Sequence, residues 1–143
     1  MTTVTHEQDL DVSAEKAWDV LFDFGGFLEW GGGGQGTIEL EGDGIGMVRK
    51  MQIPGLGEIQ EKLVRREPES MTLSYQLVGG QPIGMAEYVC VVTLAEVGNN
   101  TCRIDWHGEL SAAPGHDEAD VAESLKGSYA GMSGALAAFV AAQ

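Results

Sequence analysis

Glu61 is the residue whose placement most invites chemistry. It lies in the run Glu58-Ile59-Gln60-Glu61-Lys62-Leu63, where Glu58, Gln60 and Lys62 are all hydrophilic and the alternate residues Ile59 and Leu63 are apolar. That period-two pattern predicts a strand with one wet and one buried face, and it turns Glu61 inward between apolar neighbours. A carboxylate there is costly unless it is paired, hydrogen-bonded or protonated. General acid–base work, or orientation of a ligand, is one use for such a group. An edge-of-core glutamate tied to an amide or a water is the other reading.

Two tyrosines share the inward direction. The run 70–78 turns Met71, Leu73, Tyr75 and Leu77 inward, and 85–96 turns Tyr88, Cys90, Val92 and Leu94 inward. A phenol offers apolar area and one hydroxyl, which suits a ligand with an apolar body and few oxygens, although both rings could equally be core with hydroxyls at the rim. In 101–111 the inward set is Ile104, Trp106, Gly108 and Leu110, with Gly108 leaving space beside the indole and His107 sent to solvent. His6 has inward parity in the first strand and His116 falls in a loop, so the histidines lack ligand spacing and no metal is expected. No nucleophile triad or cofactor motif is present, and the glycine run at 31–36 does not sit between a strand and a helix of a βαβ unit, so no cofactor is expected.

The elements that must hold these residues follow from periodicity and turn chemistry. Val4 to Val12 alternates as a strand. Ser13 then caps a helix through Trp18, Leu21 and Phe22, with Glu15 at its positive end and Val12 and Ala17 spaced as a hydrophobic staple. Gly25-Gly26 stops it, and the apolar piece Phe27 to Trp30 leads into four glycines, which predict a flexible loop or a close backbone approach. Turn signals at 42–44, 54–57, 67–69, 79–82 and 98–100 separate strands at 36–41, 46–53, 58–66, 70–78, 85–96 and 101–111, and the short connections make the sheet antiparallel. From about Asp117 the period changes to 3.6, with Val121, Leu125, Tyr129, Met132, Leu136 and Phe139 on one stripe of a helix of roughly 24 residues. Only that helix is long enough to cover the sheet.

Bulk properties narrow the partners. A chain of 143 residues with 43% hydrophobic and 21% charged residues fits one globular domain, 1–143. A net charge of −14 repels phosphate backbones and anionic membranes, so no nucleic acid is expected as a partner. The sequence has no apolar run of membrane-spanning length and no secretory signal, so no membrane insertion and a cytoplasmic location are expected. Cys90 and Cys102 fall out of register in one hairpin, too far apart for a disulfide. Oligomeric state is left open, a homodimer included.

The order strand, helix, six strands, long helix, together with Val12 to Trp18, Glu41-Gly42-Asp43-Gly44-Ile45-Gly46, Glu61-Lys62-Leu63, Leu73-Ser74-Tyr75, Glu87-Tyr88 and Ile104-Asp105-Trp106, resembles the SRPBCC or helix-grip superfamily, and within it the bacterial polyketide cyclase/dehydrase-like branch. The resemblance covers nearly the whole chain. It implies an α+β helix-grip fold, a curved six- to seven-stranded antiparallel sheet wrapped around the C-terminal helix, with a cavity between them. By the same resemblance Glu61 faces the cavity and Tyr88 contacts ligand, and the loops at 54–57 and 79–83 lie where hormone-receptor relatives carry gates. The receptors' histidine-arginine-leucine string is missing, and so is the cavity lysine expected before the 36–41 strand. Hormone perception does not carry over.

Parity and resemblance together give a ligand-binding lining of Ile59, Leu63, Leu73, Tyr75, Leu77, Tyr88, Trp106, Leu125, Tyr129 and Met132, with Trp30 and Leu56 at the loops. Met47, Met51, Met85 and Met132 supply adaptable walls. The expected function is binding of a small hydrophobic, cyclic or aromatic molecule. The alternatives are a cyclase or dehydratase with Glu61 and Tyr88 as catalytic groups, and a ligand-responsive regulator of a partner protein.

Overall fold

The computed structural model describes residues 1–143. Strand β1 (Thr2–Leu10) is followed by α1 (Ala14–Phe22), the short α2 (Phe27–Trp30), strands β2 (Thr37–Glu41), β3 (Val48–Ile53), β4 (Gly57–Glu67), β5 (Thr72–Gly79), β6 (Met85–Gly98) and β7 (Thr101–Ala112), and the 24-residue α3 (Glu118–Ala141). The Ser13 side chain accepts from the Lys16 amide at the start of α1, and Asp117 does the same for Asp120 at the start of α3.

All seven strands form one antiparallel sheet in the order β1-β7-β6-β5-β4-β3-β2. β1, the first in sequence, pairs with β7, the last, so the hairpin series is closed at one edge by the N-terminus. Register shifts interrupt β4 at Gln60/Glu61 and Leu63/Arg65 and β6 at Met85/Glu87 and Glu96/Gly98. Each such irregularity bends its strand and increases its twist, and long strands bent this way curl the sheet around α3. The helix grip is therefore built into the ladder. No helix is long and apolar enough to cross a membrane.

Cys102 lies opposite Glu96, and Cys90 opposite Gly108, so the two thiols are separate, free and buried. On α3 the buried residues are Val121, Leu125, Tyr129, Ser133, Leu136 and Val140. Phe139, expected on this stripe, is instead half-buried beside Lys16, Val20 and Trp30 at a cleft along α1 and α2, and Val140 takes the inward position.

Candidate ligand cavity

Between α3 and one end of the sheet lies a cavity of about 410 Å³. Strands β3 and β4 supply Arg49, Met51, Ile53, Ile59 and Glu61, strands β5 and β6 supply Tyr75, Met85 and Tyr88, and α3 supplies Leu125, Ser128, Gly131, Met132 and Ala135. Phe27, Trp30 and Gly31 to Gly34 close one side, with Leu56, Pro82 and Ile83 on the connecting loops. Gly33, Gly34 and Leu56 are solvent-exposed members of this wall, so they mark the side that communicates with water. The four-glycine run turns there through φ of 64°, 73° and 69° at Gly32, Gly33 and Gly34, a left-handed path that side chains resist. Ile83 also sits at a positive φ of 49°, an uncommon and strained state for a β-branched residue, and its side chain forms part of the wall.

The polar end of the cavity is one ion pair. Of the ways to accommodate Glu61, the structure uses pairing: Arg49 lies directly across from it in the β3–β4 ladder. Arg49 Nη2 is 2.7 Å and Nε 2.9 Å from Glu61 Oε1, and Nη1 donates to the Phe24 carbonyl at 3.2 Å. The guanidinium lies over the Phe24 ring at 4.0 Å and within 5.0 Å of the Phe27 and Tyr75 rings. Arg49 and Glu61 are only 5% and 8% exposed, so each neutralises a charge that would otherwise be stranded. They are the only charged side chains on the wall, and the cavity is electrically balanced.

The pair leaves acceptors open. Both arginine contacts fall on Oε1, so Oε2 has no protein donor. No fully buried side-chain nitrogen or oxygen lacks a partner, which means Oε2 is not sealed in protein and opens onto the cavity. The Tyr75 hydroxyl has no nitrogen or oxygen partner in the protein; beside it lies the Cys90 thiol, a weak hydrogen-bonding group, so the phenol also has capacity left for a ligand. Burial holds the phenols of Tyr75 and Tyr88 well above the ordinary tyrosine range, with the neighbouring Cys90 next among the causes, so both act as neutral hydroxyls.

Of the residues expected to contact ligand, Trp30, Leu56, Ile59, Glu61, Tyr75, Tyr88, Leu125 and Met132 line this cavity. Leu63, Leu73, Leu77, Trp106 and Tyr129 do not. Leu63 and Leu77 are enclosed in the core cluster away from the wall. Leu73 and Trp106 border a separate void of about 10 Å³, room for a single water and not for a ligand. Tyr129 stacks on Trp106 with ring centres 4.8 Å apart, and the space left by Gly108 is taken by the Tyr129 hydroxyl. Parity names the buried face of a strand but not the depth along it, and the cavity occupies only one end of the sheet. Sequence reasoning missed the small residues Ser128, Gly131 and Ala135 of α3 and the charged Arg49, although the signal of Arg49 was present: Met47, Arg49, Met51 and Ile53 share one parity of their strand, as Ile59, Glu61 and Leu63 do of theirs. His107 faces solvent, and no three His, Cys, Asp or Glu side chains converge on a metal-binding geometry.

A curved antiparallel sheet gripping a long C-terminal helix, with an apolar cavity between them, defines a helix-grip protein of the SRPBCC type. The chain belongs to the family described as polyketide cyclase / dehydrase and lipid transport, which it matches over residues 1–141. No curated protein sequence matches it. Among solved structures, XoxI from Bacillus cereus superposes with a TM-score of 0.83 at 19% identity, covering 98% of this chain and 96% of that one. Norcoclaurine synthase from Thalictrum flavum, solved with dopamine and hydroxybenzaldehyde, gives 0.77 at 23% identity over 99% of this chain and 87% of that one. Ara h 8.0201 gives 0.79 at 18% identity, covering 99% of each chain. At these identities the likeness is one of fold.

Proposed function

We propose that the protein binds a small, largely apolar cyclic or aromatic molecule in the cavity beneath α3, with the oxygens of the ligand at the Arg49–Glu61 end. The observation that carries this reading is an apolar cavity of about 410 Å³ whose only charges cancel each other. Its volume lies within the range of about 300–1,000 Å³ usual for small-molecule sites. A neutral ligand gains apolar burial along Met51, Ile59, Leu125 and Met132, and a carbonyl or hydroxyl finds the remaining Arg49 protons, Glu61 Oε2 and the hydroxyls of Tyr75 and Tyr88. An ionic ligand would have to disturb a balanced pair. The family description, with lipid transport in it, points the same way.

Titration with acetylnaphthalene, a bicyclic aryl ketone, followed by tryptophan fluorescence tests this, because Trp30 borders the cavity. The reading predicts saturable one-to-one quenching that Ala135→Trp, which fills the cavity from α3, abolishes while the protein remains folded. Absence of saturation, or binding unaffected by Ala135→Trp, would refute it.

A second reading is favoured by the open Oε2 of Glu61. In a cyclisation or dehydration the carboxylate would take a proton from a carbon next to a carbonyl, while Tyr75 or Tyr88 donates a hydrogen bond to the developing oxyanion. Turnover of a poly-β-ketone thioester by the wild type and not by a folded Glu61→Gln variant is the expected result; equal rates would exclude the role.

A further inference from the structure

The Tyr88 and Tyr129 hydroxyls lie 2.6 Å apart in the buried wall between β6 and α3. Tyr88 borders the cavity, whereas Tyr129 is fully enclosed and off the wall. Its ring is clamped on Trp106, whose Nε1 donates to Ser133 Oγ at 2.9 Å, and that hydroxyl donates in turn to the Tyr129 carbonyl at 2.7 Å. Gly108 makes the meeting of the two phenols possible. A Cβ at that position would fall inside the Tyr129 hydroxyl and lie 3.1 Å from Tyr88 Cε1 and 3.3 Å from Leu125 Cδ2.

The two hydroxyls are not equivalent. Tyr129 has one proton and one strong acceptor within reach, the Tyr88 oxygen; the other polar side chain beside the pair, the Cys90 thiol, is a weak acceptor. Were Tyr88 to donate to Tyr129, the Tyr129 proton would be stranded in a closed pocket, a loss comparable to breaking a hydrogen bond. Once an acceptor occupies the cavity, the arrangement in which every proton is used runs from Tyr129 to Tyr88 and from Tyr88 outward. A phenol that accepts a hydrogen bond is also a stronger donor.

We propose that Tyr129 is a positioning residue that sets the direction of the Tyr88 hydroxyl, so that the cavity offers a fixed donor to a carbonyl or other acceptor oxygen of its ligand. The proposal rests on the cavity being a ligand site. It makes Gly108, Tyr129, Trp106 and Ser133 determinants of specificity although none of them touches the ligand.

The test compares acetylnaphthalene with isopropenylnaphthalene, which has the same shape but a methylene in place of the carbonyl oxygen. The wild type should prefer the ketone by about tenfold, the worth of one well-placed hydrogen bond. Tyr129→Phe keeps the ring stack and should reduce that preference to about twofold while the hydrocarbon affinity stays within about twofold, again by the loss of a single hydrogen bond. The carbonyl stretch of the bound ketone, lowered in the wild type, should move back up in the variant. Tyr88→Phe should lower the preference at least as far as Tyr129→Phe does, and adding Tyr129→Phe to it should change nothing further. If Tyr129→Phe fails to fold, 3-fluorotyrosine at position 129, which keeps the ring and makes the hydroxyl a stronger donor, supplies the test: the preference should rise and the carbonyl stretch fall further. An unchanged preference and stretch, or an equal weakening of both ligands, would overturn the relay while leaving the cavity reading intact. If the wild type binds neither compound, the cavity reading fails and the relay falls with it.

Discussion

Two neighbouring stripes of α3 face the same sheet and produce opposite results. Tyr129, Ser133, Leu136 and Val140 meet Trp106 and the core strands in a closed, fully hydrogen-bonded interior. Ser128, Gly131, Met132 and Ala135, about a third of a turn around the helix, meet Arg49, Ile59 and Tyr75 across an open cavity. The backbone is shared, so the difference is side-chain volume. Tyr129, Leu136 and Val140 fill the gap on one stripe, and Ser128, Gly131 and Ala135 leave it beside Met132 on the other, where the sheet places an ion pair that needs no help from the helix.

The sharpest way to break the comparison is at the ion pair. Arg49→Met should destabilise the protein by about 3–5 kcal/mol, because Glu61 is left buried without its partner. The double substitution Arg49→Met with Glu61→Leu should recover most of that or exceed the wild type, as apolar replacements of buried pairs often do. Urea denaturation of the three variants measures both. A cost below about 1 kcal/mol for the single change would mean that water reaches the pair freely.

The two stripes should respond differently to the same truncation. Leu136→Ala opens a new void in a closed interior and should cost about 2–5 kcal/mol, whereas Met132→Ala enlarges a space already present and should cost about 1 kcal/mol or less. Equal costs would remove the distinction between the stripes.

Alkaline pH probes the buried groups of both sides together. Burial pushes the Cys90 thiol, on the closed side, up to about 11. Its folded value lies above the unfolded one of about 9, so the stability it represents is complete below pH 9 and is lost as pH rises through 11. The raised phenols of Tyr75 and Tyr88 extend the loss to higher pH. The urea midpoint should be level to pH 9 and then decline, and Cys90→Ala should flatten the first part of the decline. The smallest effect belongs to the outer glycines of α3. At Gly127 and Gly134 a Cβ would meet nothing within 4 Å, so alanine at either should raise stability by up to about 1 kcal/mol through helix propensity alone, read as a higher thermal midpoint.

The fold was legible because its signals are local. Turn residues bounded every strand, the change of period near Asp117 located α3, and a lone helix opposite a one-faced sheet left a single way to pack. The chemistry was half legible. Glu61 announced itself by alternation, and Arg49 carried the same mark beside Met47 and Met51. Pairing across the turn at 54–56, which sets Ile53 opposite Gly57, already places 49 opposite 61. What alternation could not reveal is where along the sheet the interior is empty. That depends on how far Tyr129 and Trp106 reach into one another, on the room Gly108 leaves them, and on the small residues of the other stripe, all of which are long-range packing.

The most direct test of the account is isotope-filtered NOE spectroscopy of the protein with bound acetylnaphthalene. Contacts from the ligand to the methyl groups of Met51, Ile59 and Met132, with none to Leu136 or Val140, are the predicted result. Contacts to Leu136 or Val140, or to the outer-face Val78, would contradict it.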